Sequence, residues 1–349
     1  MPRIGVAACA LLAALALGFT RCALPFRGSG SVTILSWNLQ TLFDDRDDGL
    51  EFAGWSVAGG EWDADGYRAR LRSFAAAIAS SVPGGPEVVV LQEVENQRVA
   101  TDLAELLPGS WPTRVLAGGG GALGIAVLSR FQLVEARAHA AGAVPGFRPE
   151  ELRPLLEAVL DADGIRLTVL AAHWKSKVEG AEATEPARRA QAAVAARRIA
   201  EILEEDPGAE VLLAGDLNEN PDEWRRTGGA WPTALLPADL AVRYGGWRDR
   251  ILLATEPEGA GRTESGLALW SPWDETEGFS YVWQGREERI DHVLLAPGLL
   301  DGRGLSYLAF TAHPLPGTLE ADGTPNAWCS RSRDGYSDHL PIRLELTRP

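Results

Sequence analysis

The 349-residue sequence predicts one α/β domain. Three observations carry that prediction. Apolar runs of strand length alternate with two long helical patterns, no internal repeat is evident, and no linker separates the polar motifs at the strand ends. Val32–Trp37 opens the domain as a strand behind a Gly/Ser/Pro linker at 23–31. Tyr67–Val82 is Ala-rich with helical period and is stopped by Pro83-Gly84-Gly85-Pro86. Glu87–Leu91 follows as an apolar strand. Gly118–Gly121 reads as a turn, because no Lys-Ser/Thr pair opens a helix behind it. Gly124–Ser129, Leu133–Arg137, Leu155–Leu160 and Ile165–Ala172 are strands, the last two joined by the hairpin signal Asp163-Gly164.

Pro186–Glu205 is the clearest helix, with Pro186 in its first turn, an apolar stripe of Ala195, Ile199, Ile202 and Leu203, and Pro207-Gly208 at its end. Val211–Ala214 is a short buried strand. The Gly-, Trp- and charge-rich stretch 239–277 shows no period and is expected to form long surface loops. Phe279–Trp283, Arg289–Leu295, Leu305–Phe310 and Leu340–Leu346 close the chain as strands.

The balance is acidic, 33 Lys and Arg against 48 Asp and Glu, a formal net charge of −15. That argues against non-specific nucleic-acid binding driven by a basic surface; attraction to phosphate has to be local or carried by a cation. Residues 1–22 read as an export leader: Arg3 precedes the uncharged run Ile4–Phe19, which is short for a membrane span. Ala14-Leu15-Ala16 offers a cleavage site and Cys22 the lipid-carrying cysteine of a lipoprotein, although Arg21 departs from the small residue usual there; an uncleaved anchor is the third option. The expectation is an exported protein, periplasmic, secreted or lipid-anchored at a membrane, and monomeric. Cys22 and Cys329 allow one bridge if Cys22 is not lipidated, and neither belongs to the polar motifs, which excludes thiol chemistry and zinc–thiolate sites there.

Six motifs carry the chemistry: Ser36-Trp37-Asn38, Gln92-Glu93-Val94-Glu95, His173-Trp174-Lys175-Ser176, Gly215-Asp216-Leu217-Asn218, Ile290-Asp291-His292 and Ser337-Asp338-His339. With Leu217 turned inward, extended geometry puts Asp216 and Asn218 on one face, where a carboxylate and an amide can hold an attacking water. The alternative there is a strand-ending Asx turn. Glu93 ends an apolar strand, and a carboxylate so placed either meets a cation, with Asn38 nearby, or emerges into solvent; Glu95 is the weaker candidate of the pair. His339 beside Asp338, with Asp291 inside a later strand, can act on a phosphate oxygen or as acid or base, though Asp-His is also a common pair without function. His173 with Lys175 and Lys177 reads either as a phosphate contact or as a solvated turn. The 12 tryptophans read mostly as core or rim residues.

In this order and at strand ends, the motifs make the chain resemble the endonuclease/exonuclease/phosphatase superfamily over about residues 32–347. The resemblance implies a four-layer α/β sandwich, two mixed sheets face to face with helices outside. It implies Asn38, Glu93 and Asp338 at a Mg²⁺ or Mn²⁺ site, His173 and His339 on the phosphate, Asp216 and Asn218 on the water, and Asp291 completing the pocket. Gln40 and His173 depart from the abasic-site endonucleases, and the His-Trp-Lys-Ser and Glu-Arg-Ile-Asp-His runs are most similar to exported bacterial members. The expected activity is a divalent-metal-dependent phosphodiesterase, an endonuclease with nucleic acid as substrate. A lipid head group or small phosphoester is the alternative substrate. A non-catalytic binding protein of the same fold would carry a damaged motif set, and none of the positions is missing.

Overall fold

The computed structural model describes residues 30–243, 249–264 and 266–348. The expected leader, most of the 23–31 linker and Cys22 lie outside these residues; Cys329 is exposed with a free thiol.

In chain order the strands are β1 (Ser31–Leu42), β2 (Val88–Val94), β3 (Thr113–Ala117), β4 (Gly124–Ser129), β5 (Gln132–His139), β6 (Leu155–Ala162), β7 (Ile165–His173), β8 (Glu210–Asp216) and β9 (Leu235–Pro237). They continue as β10 (Ile251–Ala254), β11 (Gly261–Thr263), β12 (Gly266–Trp270), β13 (Tyr281–Trp283), β14 (Arg286–Glu288), β15 (Asp291–Leu295), β16 (Ser306–Ala312) and β17 (Ile342–Thr347). The helices are α1 (Ala64–Ser80), α2 (Gln97–Leu106), α3 (Ala181–Glu205) and the single turn α4 (Glu223–Arg226).

Two mixed sheets form the centre. One runs β16-β17-β1-β2-β4-β3, the other β5-β6-β7-β8-β15-β12-β10-β9 with β11 against β12. Alternate residues explain the layering. Ile34, Val88, Val90 and Val127 of the first sheet pack against Leu160, Leu167, Val169, Leu212 and Val293 of the second. The opposite parity of the first sheet, Leu35, Trp37, Val89 and Leu91, meets Leu71, Phe74 and Ile78 of α1 and Leu103 of α2. That of the second, Leu170, Val211 and Leu213, meets Ala195, Ile199 and Leu203 of α3. Helix, sheet, sheet, helix is the four-layer α/β sandwich that the resemblance implies.

Local signals account for the helices. Asp63 caps α1 by accepting from the amides of Asp65 and Gly66, and Asn96 caps α2 by accepting from Val99. Sequence reading misses α2 because its buried stripe is only Val99, Ala100, Leu103 and Ala104. Helix α3 starts five residues before Pro186. Thr184 Oγ1 accepts from Arg188 Nη1 and donates to Gly180 O, and Arg188 Nη2 donates to Ala181 O; side chains thus hold the turn ahead of the proline. The expectation of surface loops over 239–277 is overturned: β10 and β12 lie within it, and Ile251, Leu252, Ala268 and Leu269 are buried in the second sheet. Four- and five-residue strands covered on both faces leave no alternation to read.

Glu210 opens β8 and is buried; one oxygen accepts from Leu305 N at 2.8 Å and the other has no partner. Burial pushes its carboxyl up to about 7. Between pH 4.5 and 7 the folded chain therefore holds a proton that the unfolded chain has released, so stability falls as pH rises through that window. Glu210→Gln should match the parent near pH 4.5 and exceed it by about 1–2 kcal/mol at pH 8, allowing for partial solvent screening. Urea denaturation midpoints at the two pH values check this; a constant difference would contradict it.

Candidate active site

Strand register assembles one wall of the site. In the second sheet His173 pairs with Asp216 across β7 and β8, and Asp216 pairs with Asp291 across β8 and β15. Three candidate side chains thus sit side by side on neighbouring strands. The first sheet supplies Asn38 from β1 and Glu93 from β2, strands that run parallel with Asn38 opposite Gln92. Asp338 and His339 arrive on the segment before β17.

At the cleft a hydrogen bond joins the two sheets: Asn38 Nδ2 donates to Asp216 Oδ2 at 3.1 Å. Around it, His173 Nε2 lies 3.4 Å and His339 Nε2 3.9 Å from the same oxygen. Asp291 Oδ2 is 2.8 Å from His339 Nδ1. The ligand atoms of Asp216, Asp291 and His339 all lie within 4.8 Å of one another. Asn38, Glu93, His173, Asp216, Asn218, Asp338 and His339 line a single cleft of about 230 Å³. Asp291 does not line it. It is fully buried behind His339, with its backbone N–H on Ser280 Oγ and its carbonyl on Trp273 Nε1.

Backbone geometry aims these groups. Asn218 is left-handed at φ 54°, and its N–H donates to Asp216 Oδ1 at 2.9 Å. The chain therefore makes the Asx turn rather than the extended run, yet both side chains still face the cleft. Asn218 Nδ2 is anchored on Trp174 O at 3.1 Å. Glu93 is also left-handed, φ 63°, which swings its carboxylate off the strand line; Thr41 N holds one oxygen at 2.7 Å. Glu95 points elsewhere, accepting from Asp44 N in a more exposed group with Asp48 and Glu51.

Electrostatics separates the groups. Burial and then the charge of Asp291 push the Asp216 carboxyl up to about 7, against the pull of His339 and the hydrogen bonds of Asn218 and Asn38. Burial, then the charges of Arg153 and His339, hold the His173 imidazole well below its usual value. For His339 burial works against the imidazolium, but Asp291, Asp216 and Asp338 outweigh it and raise the value to about 10. A carboxylate poised near neutrality beside a neutral and a charged imidazole is an acid–base set.

Of the other wall, sequence reading singles out only Lys177 and Ile290. Tyr281 and Trp283 of β13, with Lys177, Val178, Glu288 and Ile290, complete the cleft. The Tyr281 ring lies over His339 at 4.5 Å, and Trp283 stacks on Tyr281 at 6.5 Å. Lys177 is paired with Glu223 at 3.1 Å and Glu288 at 3.5 Å. The sequence signal for its aromatic part is the alternation Tyr281-Val282-Trp283 after Gly278.

The sequence pattern of the Endonuclease/Exonuclease/phosphatase family matches residues 35–339. The chain belongs to this family. Family members are hydrolases of phosphoester bonds, generally dependent on a divalent metal. No curated protein matches the sequence. Solved structures share the fold. Truncated Caenorhabditis elegans TDP2 is 18% identical, with 91% of this chain and 97% of that chain covered and a TM-score of 0.52. D. rerio TDP2 complexed with single strand DNA product is 17% identical, covering 91% and 100%, TM-score 0.53. A mannosyl-6-phosphatase from Bacteroides thetaiotaomicron VPI-5482 is 15% identical, covering 90% and 99%, TM-score 0.52.

The approach of β7 and β8 depends on Gly215. Its φ is 139°, and a Cβ there would stand 1.9 Å from Ala172 O. Gly215→Ala should cost about 3 kcal/mol or more and displace Asp216. Denaturant titration checks the first effect; a variant of parental stability would show that the two strands can separate freely.

Proposed function

We propose that the chain is a divalent-cation-dependent phosphodiesterase cleaving nucleic acid internally by in-line attack of water, exported from the cell. The observation that carries the reading is the convergence of seven of the eight candidate residues on one cleft, across two sheets and about 300 residues of sequence. Asn38, Glu93 and Asp338 fit a hard cation: the set is all oxygen, Glu93 is fixed by Thr41, and Asn38 Oδ1 is oriented by Gln40 N at 3.0 Å. Mg²⁺ or Mn²⁺ held by these three would supply positive charge beside the scissile phosphate.

The chain's own groups do the rest. Asp216 takes the proton of the attacking water, and Asn218, pinned to Trp174, helps fix that water's place. His339, charged at neutral pH and backed by Asp291, faces the charge that develops on the phosphate oxygens. His173, held neutral, offers an uncharged imidazole on the opposite flank.

A second reading, a small phosphoester or a lipid head group in place of a polymer, draws on the net charge of −15 and on the two carboxylates that already neutralise Lys177 at the cleft wall. A panel of supercoiled DNA, single-stranded RNA, sphingomyelin and p-nitrophenyl phosphate, each with Mg²⁺ or Mn²⁺, separates the two. Nicking of the plasmid is the expected outcome, and turnover of the monoester or lipid alone would overturn the nuclease assignment. Asp216→Asn should lower kcat on the preferred substrate on the order of a hundredfold or more with little change in KM; near-parental kcat would remove Asp216 as the base.

A further inference from the structure

Below the oxygen donors lies a buried cation that none of these roles uses. Arg70 projects from α1 and is 1% exposed. A buried charge usually has a carboxylate at contact distance. Arg70 bonds instead to four backbone carbonyls: Nη1 donates to Thr41 O at 2.9 Å, and Nη2 to Leu39 O at 2.7 Å, Gln40 O at 3.0 Å and Tyr336 O at 3.3 Å. The rings of Trp55, Phe74 and Trp328 stand 5.1, 5.2 and 4.8 Å from the guanidinium carbon.

Those carbonyls belong to the two segments that present the donors. Residues 39–41 follow Asn38, and the Thr41 amide holds Glu93. Tyr336 precedes Ser337 and Asp338, and the Ser337 hydroxyl donates to Asn38 O at 2.6 Å. Gln40 and Thr41 are both left-handed, φ 49° and 57°, a conformation such residues keep only where the surroundings over-determine it. Three amide carbonyls within three residues, all turned to one guanidinium, are that determination.

We infer that Arg70 is a positioning residue for the cation site, locking the 39–41 turn to the 336–338 segment so that Asn38, Glu93 and Asp338 converge. The inference rests on the cation-assisted reading of the cleft. Arg70 itself touches neither substrate nor cation. Lysine cannot take its place: it keeps the charge, but a single ammonium has neither the flat fork that spans four carbonyls nor the plane that packs between three rings.

The test is calorimetric titration of the full chain with Mn²⁺, comparing parent, Arg70→Lys, Arg70→Met and Leu203→Ala. The last is a core truncation at the far end of α3 from the cleft, a control for lost stability. Both Arg70 variants should bind Mn²⁺ tenfold or more weakly. On bis(p-nitrophenyl) phosphate, Arg70→Lys should regain most of its kcat at saturating Mn²⁺. Leu203→Ala should lose thermal stability and keep parental affinity. Should Arg70→Met fail to fold, Arg70→Lys decides. Parental Mn²⁺ affinity in Arg70→Lys, with only its melting temperature lowered, would overturn the inference and leave Arg70 a structural prop. A parent protein that binds no Mn²⁺ would instead overturn the cation-assisted reading beneath it, before any variant is compared.

Discussion

The pairing of His173, Asp216 and Asp291 across three adjacent strands is the constraint on which the rest of the site depends. A shift of one residue between β7 and β8 would turn every side chain of one strand to the other face and part His173 from Asp216. The register is secured by the apolar faces on both sides of the second sheet, since Val169 and Leu212 face the first sheet while Leu170 and Leu213 face α3. The chemistry therefore inherits its precision from hydrophobic packing. Polar groups at the strand ends do not have to hold the strands in place; they have only to be carried there.

What the second sheet fixes, the first must meet. Asn38 reaches Asp216 where β1 bulges away from β2 between the pairs Asn38–Gln92 and Leu42–Val94, and left-handed Gln40 and Thr41 bend the chain. The cost of two strained residues, about 1–3 kcal/mol each, is offset by the bonds that the turn accepts from Arg70 and donates to Glu93 and Asn38. Strain, buried charge and the donor set form one structure here. The Arg70 guanidinium places positive charge on the core side of this turn.

Much of this was legible in the sequence, and for a physical reason. A buried apolar strand that ends in Asn, Glu, Asp or His delivers an expensive group to a place where water does not compensate it, so the ends of β1, β2, β7 and β8 stand out as motifs. Strand β4 matches its expected bounds residue for residue. The residues around the motifs were less legible. Asp291 reads as a pocket residue but lies wholly behind His339, because sequence shows parity along a strand and not which neighbour stands in front. Arg70 left no sign at all: one arginine among several in an amphipathic helix looks like a solvated charge until its four carbonyl partners, up to 266 residues away, are seen.

The unread stretch 239–277 shows the same limit from the other side. Its strands β10 and β12 are too short for period and too covered for alternation, and Trp270 and Trp273, which could pass for rim residues, pack into the core between the sheets. The exposed aromatic residue that matters is Trp283, carried outward by the β13–β14 hairpin and linked through Tyr281 to His339. Rings at these spacings place a continuous apolar surface from the acid–base set to the mouth of the cleft. On the same wall stands Lys177, already satisfied by Glu223 and Glu288. A substrate entering along this wall finds flat apolar contact and little net positive charge. With Lys177 so neutralised, His339 is left as the charged group of this cleft that can face a phosphate directly, and the oxygen donors can attract one only through a cation.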